Sequence, residues 1–167
     1  MAMSEAEQFQ PRGRYTVIPR TLVFLTNDDA VLLLKGAPTK RLWANRYNGL
    51  GGHVESGETV AAAALREVWE EAGIAADAID DFGLRAMVNV EGTPQGVLLC
   101  IFTGRARTRA VVGSHEGTPE WIPLDQLGAI NPVDEGRFLP RLLGDGPTLF
   151  GHQRHGAAGE VAAFTLE

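Results

Sequence analysis

Apolar positions along the chain fall mostly into short alternating or continuous runs separated by turn residues, and one stretch instead repeats at helical spacing. Residues 1–13 are polar, contain Pro11 and Gly13 and carry no apolar period, so they read as a flexible leader to a single domain over residues 14–167. The stretch YTVIPRTLVFL from Tyr15, the turn residues Asn27-Asp28-Asp29 and the run AVLLLK predict two strands joined tightly. Further strands are expected at residues 82–91 and 96–105, separated by Glu91-Gly92-Thr93-Pro94. A short strand is expected at Glu120-Trp121-Ile122, with a helical turn in PLDQL after it. TLFGHQR and EVAAFTLE read as a closing hairpin, suited either to completing the core or to pairing with a second copy as a homodimer.

The helical stretch covers residues 59–72. Val60, Ala61, Ala64, Leu65, Val68 and Ala72 share one face, Thr59 is placed as N-cap and Gly73 as the stop. Asn131-Pro132 predicts a second helix running to Leu143, with the asparagine as cap and the proline in the first turn. Several strands with two helices make an α+β domain, layered α/β/α around a mixed sheet.

Composition narrows the setting. Hydrophobic residues make up 44% of the 167 positions and charged ones 22%, which suits one globular domain. Cys100 is the only cysteine, so no internal disulfide forms, a reducing cytoplasmic setting is expected, and the thiol in GVLLCIF reads as a small buried hydrophobe. The N-terminal stretch lacks the apolar run of a signal peptide, and the apolar runs elsewhere are too short to cross a bilayer. A net charge of −6 argues against a stable hold on a nucleic-acid polymer. It leaves a small phosphorylated ligand open.

Glu67, Glu70 and Glu71 lie side by side on the predicted helix, beside its apolar face. Like charges at that spacing repel, so the cluster is either a solvated acidic face or a place for a counterion. Carboxylate oxygens are hard ligands suited to Mg²⁺, with Mn²⁺ as an alternative, and substrate phosphates and water usually complete the shell. Upstream, Gly51, Gly52 and Gly57 allow sharp turning and close approach of the backbone. These pieces have a fixed spacing: Gly52, five residues, Glu58, seven residues, then Arg66-Glu67-Val68-Trp69-Glu70-Glu71-Ala72-Gly73-Ile74. At average residue frequencies, seven named and two aliphatic positions coincide by chance with a probability on the order of 10⁻⁷ in a chain of this length.

This segment resembles the Nudix box, complete over residues 52–74. The resemblance implies the Nudix sandwich, dependence on Mg²⁺, and hydrolysis of a nucleoside diphosphate linked to another group. It implies that Glu67, Glu70 and Glu71 hold metal, that Gly52 offers a carbonyl to it, and that Arg66 pairs with Glu58 to orient the loop. Either a glutamate or a metal-bound hydroxide would serve as base. NRYNGLGGHVESGE before the helix, and HEGTPEWIPLDQL and NPVDEGRFLPRLL after it, resemble more loosely the MutT-like branch that hydrolyses oxidised purine nucleoside triphosphates such as 8-oxo-dGTP. That likeness would make Asn48, Asp134 and Glu135 base-reading residues and Glu116 an additional metal ligand. Each also has a plain structural reading: a turn residue, charges favouring a helix N-terminus, an exposed loop charge. Pro132 stands where the branch has a stacking aromatic and Tyr47 where it has tryptophan, so Phe24 or Phe138 is a candidate to stack on the base, and Trp43 a candidate lid or stacking residue unless it merely packs. His152 and His155 read as surface or turn residues, and Trp69 as packing or partner surface. A small-molecule nucleotide is the expected partner. Hydrolysis of another substrate such as ADP-ribose, or nucleotide sensing without turnover, are the competing readings.

Overall fold

The computed structural model describes residues 13–39, 43–92, 94–133, 138–156 and 161–167. Strands β1 (Val17–Asn27) and β2 (Ala30–Gly36) form the expected hairpin, in register at Leu25↔Leu32 and Asn27↔Ala30, with Asp28 at positive φ in the turn. They pair only near the turn. Beyond it, residues 47–53 bridge the two: β3 (Tyr47–Asn48) pairs with β2, while Leu50 and His53 bridge to Val23 and Arg20 of β1. The glycine segment is therefore held by strands on both sides, which is what gives a flexible composition a fixed course.

Helix α1 (Val60–Ala72) starts at Thr59, whose side chain accepts from the Ala62 N–H, and ends at Gly73 in the left-handed region. Strands β4 (Ile79–Val90) and β5 (Gly96–Ala106) follow, then β6 (Gly117–Pro123), a 3-10 turn over Leu124–Ala129, a short helix α2 (Leu139–Leu143), and the closing hairpin of β7 (Leu149–His155) and β8 (Val161–Leu166). The sheet runs β3-β2-β1-β5-β4-β7-β8, with β6 on β2. It is mixed, with β1–β5 and β4–β7 parallel and the remaining pairs antiparallel.

Alternation along β1 sorts the core into two layers. Val23 and Leu25 join Leu32, Leu34, Leu50 and the Ala64, Val68 and Ala72 stripe of α1 on one face. Leu22 and Phe24 join Val31, Leu33, Ala86, Val88, Ile101 and the Leu139 and Leu142 pair of α2 on the other. This is the α/β/α sandwich that the periodicity predicts. Cys100 lies in the first layer at 3% exposure, and burial pushes its thiol pKa up, as fits a packing residue.

The second helix differs from expectation. Asn131 does not cap it: Asn131 O accepts from the Tyr47 N–H, the Val133 N–H donates to Tyr47 O, and Pro132 bridges to Tyr47. Pairing with β3 fixes these residues in extended form, and the observed helix begins at Leu139 with Pro140 in its first turn. Asp134 and Glu135 lie outside the described residues, as does the leader up to residue 12.

Candidate active site

The C-terminal half of α1 carries Arg66, Glu67, Glu70 and Glu71, with no basic residue in its last turn. Two carboxylates beside the negative end of a helix dipole cost about 0.3–1 kcal/mol each, so this arrangement is poor for the isolated helix. Val68 and Ala72 bury the adjoining face and force the glutamates against residues 51–53.

Arg66 holds the loop to the helix. Its Nη2 and Nε donate to Glu58 at 2.8 and 3.2 Å, Nη2 also to the His53 carbonyl at 3.0 Å, and Nη1 to Glu67 Oε1 at 2.9 Å and Glu70 Oε2 at 3.2 Å. Glu58 closes its own turn by accepting from the Glu55 N–H at 2.7 Å. The Arg66 hydrogen bonds hold the Glu58 carboxyl below the usual range, and Glu58 in turn raises the guanidinium pKa. One guanidinium thus ties the turn at 55–58 to the helix and to two of its acids.

The three glutamates differ in surroundings. Glu70 is half exposed, Glu67 has a side chain 14% exposed, and Glu71 is buried at 4%. Glu71 Oε2 accepts from the Gly51 N–H at 2.8 Å. Burial pushes the Glu67 carboxyl up; Arg66 opposes this, while the negative charges of Glu70 and Glu116 reinforce it. Glu116, 49 residues from Glu67 in sequence, is therefore within electrostatic reach of it. Gly52 sits directly against the cluster, since a Cβ there would lie 2.3 Å from Glu67 Oε1, and its carbonyl accepts from the Thr21 N–H at 2.8 Å. Among the described residues no three acidic, His or Cys side chains already converge on one point. Glu67 and Glu70 each give an oxygen to Arg66, and Glu71 gives one to the Gly51 N–H. By donor type, the cluster suits a hard divalent cation.

Two cavities meet beside this cluster. The smaller, about 80 Å³, has Glu71, Glu116 and Arg46 in its wall. The larger, about 230 Å³, is walled by Leu22, Val90, Val97, Leu99 and Val133, together with Thr21, Gln153 and His155. Arg20, Trp43, Asn48 and Gly51 line both, so one ligand can reach from the acids into the apolar space.

Asn48 thus stands at the junction. Its Oδ1 accepts from the Gly49 N–H at 2.9 Å, a turn role, which leaves the Nδ2 donors for a ligand. Asp134 follows Val133 of the cavity wall in sequence. The stacking candidates fall elsewhere: Phe24 is fully buried in the core, and Phe138 stacks on Phe164 with centroids 3.9 Å apart. The aromatic at both cavities is Trp43, 41% exposed and at positive φ. His152 meets Glu91 at 2.9 Å on the surface, but His155 lines the larger cavity, which H-x-x-H spacing on a strand gave no means to see. Trp69 is exposed.

Tyr47 precedes Asn48 in β3. Its hydroxyl donates to Glu120 Oε2 at 2.7 Å, and that bond leads the causes that push the phenol pKa up to about 12. The phenol is favoured over phenolate in the folded state, so this bond stabilises the fold below the ordinary phenol pKa and is lost as pH rises toward about 12. Alkaline titration at the phenolate absorbance should show a late step that Tyr47→Phe removes; a Glu120→Gln protein should show that step at lower pH.

Residues 17–142 match the NUDIX domain family. The chain is 35% identical over 124 residues to the oxidized purine nucleoside triphosphate hydrolase of Mus musculus, spanning 74% of this chain and 78% of that protein. It is 31% identical over 107 residues to the protein of the same name from Danio rerio, spanning 64% and 67%. The fold is similar to that of the MutT protein from Bacillus halodurans, with a TM-score of 0.68 at 22% identity over 90% of this chain and 98% of that one.

Proposed function

This chain belongs to the NUDIX domain family and is a Nudix hydrolase, and on that premise we propose that it acts on a purine nucleoside triphosphate. Oxidised forms such as 8-oxo-dGTP are included, and the products are the monophosphate and pyrophosphate. The observation that carries this reading is the meeting of the two cavities: acids line one end, apolar strands the other, and Asn48 stands between them. An apolar slot with few polar groups suits a flat base, and the acidic end suits a phosphate chain brought in with divalent cations. The names of the mouse and zebrafish relatives support the same substrate class.

Glu67, Glu70 and Glu71, with Glu116 and the Gly52 carbonyl, would hold Mg²⁺, or Mn²⁺ in its place, which when bound neutralises phosphate charge and acidifies water. The residues fit that group: hard oxygens, one of them on buried Glu71, and at Gly52 a backbone with no Cβ to crowd Glu67. Arg66 and Glu58 fix the loop that carries Gly52 and His53, so the glutamates meet a phosphate in a set geometry. Glu67 Oε1 accepts from Arg66, so Oε2 on the same carboxyl is the oxygen open to the cation or to a proton of the attacking water. Asn48 donates to an acceptor on the base, and Val90, Val97, Leu99 and Val133 exclude water around it. Asp134 and Glu135, just beyond Val133, are proposed as a further pair at the base edge. The reaction belongs with free nucleotides in the cytoplasm, and among the described residues no helix is long and apolar enough to cross a membrane.

The test is a panel of dGTP, 8-oxo-dGTP, 2-oxo-dATP, ADP-ribose and a capped RNA, with and without Mg²⁺. Cation-dependent pyrophosphate release, fastest from an oxidised purine triphosphate, is the expected result. Turnover of ADP-ribose with no triphosphate cleaved would transfer the site to the other substrate class.

A further inference from the structure

The larger cavity carries polar groups that phosphate chemistry does not use. Gln153 of β7 is 1% exposed, held by strands on both sides through register with Val90 of β4 and Phe164 of β8. Its Nε2 lies 3.0 Å from His155 Nε2, and its Oε1 has no hydrogen-bond partner among the described residues. Thr21 Oγ1, buried in the wall of the same cavity, also lacks one. Buried polar atoms are nearly always paired, because leaving them unpaired forfeits their bonds to water. Two such residues in the wall of one cavity, beside the polar groups of Arg20 and Asn48, are what a ligand with matching groups would satisfy.

We propose that Gln153 reads the base, its Oε1 accepting a hydrogen bond from an N–H donor on the purine, with His155 as the positioning residue that sets the amide's orientation. A neutral imidazole has one bare nitrogen. When that nitrogen is Nε2, the Gln153 amide donates to it and turns its oxygen away. The larger cavity then offers complementary amides, a donor on Asn48 and an acceptor on Gln153. The lactam N–H of an oxidised purine, the N1–H and amino group of guanine and the amino group of adenine can meet the acceptor. A purine without N–H donors cannot. This inference rests on the function proposed above for the same site and adds a selectivity residue to it.

Gln153→Met keeps the side-chain length and removes the hydrogen bond without leaving an unpaired amide in the core, so the protein is expected to fold. Steady-state kinetics on 8-oxo-dGTP, dGTP and the triphosphate of unsubstituted purine riboside form the test. The variant should lose tenfold or more in kcat/KM on the donor-bearing base that the unsubstituted enzyme prefers, and less than twofold on the donor-free purine. His155→Leu, which frees the amide to turn, should shrink the same ratio at least threefold. An equal fall on all three nucleotides, or none on any, overturns the proposal. If the unsubstituted enzyme cleaves no triphosphate, the proposed function fails by itself, and the ratio is then read from equilibrium Kd values for the corresponding monophosphates under the same criterion.

Discussion

Glu71→Gln is expected to lower kcat by about 10³-fold or more at saturating Mg²⁺, about 4 kcal/mol of transition-state stabilisation, while leaving the unfolding midpoint unchanged or higher. Glu71 is the buried member of the acidic trio, at 4% exposure, and its Oε2 accepts from the Gly51 N–H at 2.8 Å. An amide of the same shape can still accept that bond, so the loop keeps its anchor. Removing a buried charge also relieves a desolvation cost. What is lost is a formal negative charge at the cavity that Glu116 also lines. Raising Mg²⁺ should not restore the rate. A fall in midpoint together with lost activity would make Glu71 a structural residue and assign the chemistry to Glu67 and Glu70.

The separation of stability from activity in that variant reflects how the sequence encodes the site. The glutamates were legible because helix periodicity is local: Thr59, the apolar stripe and Gly73 fix α1, and the spacing then fixes which acids are neighbours. The pairing of Arg66 with Glu58 was expected from the likeness to the Nudix box, and only Thr59 and the start of α1 lie between the two residues. Glu116 was placed only through the likeness to a family, and its electrostatic reach to Glu67 depends on β6 pairing with β2 far away in the chain.

The apolar end of the site was less legible. Its wall draws Leu22, Val90, Leu99, Val133 and Gln153 from β1, β4, β5, β7 and the segment after the 3-10 turn, so no single stretch of sequence carries its pattern. Asn131-Pro132 has the local signature of a helix start, yet tertiary pairing with Tyr47 overrides it. Gln153 sits in the polar run His152-Gln153-Arg154-His155, where a buried glutamine looks like a surface one. Its role as a wall residue becomes visible only when β7 is inserted beside β4 in parallel. Of the aromatics that the sequence offered for stacking, Trp43 lines the site, whereas Phe24 is buried in the core and Phe138 stacks on Phe164.

Two adjacent glycines should fail in opposite ways when given a methyl group. At Gly51, φ is +152°, which L-residues rarely adopt, and a Cβ would lie 2.2 Å from the Thr21 carbonyl oxygen, in backbone that cannot yield without moving β1. Gly51→Ala is therefore expected to cost about 3 kcal/mol or more in urea unfolding, from strain and overpacking together. At Gly52 the obstacle is the end of a side chain: Glu67 Oε1 at 2.3 Å and Cδ at 2.7 Å. The carboxylate can swing aside, and the bond from the Thr21 N–H to the Gly52 carbonyl can survive, so Gly52→Ala should change stability by less than about 1 kcal/mol. The displaced carboxylate is the cost. A misplacement of about 1 Å in a catalytic group reduces turnover on the order of 10²-fold, and that is the expected loss in kcat, with affinity for the base end of the nucleotide retained. If Gly52→Ala unfolds the protein as Gly51→Ala does, the glycine serves the chain course; if it turns over normally, Glu67 is not held where the reaction needs it.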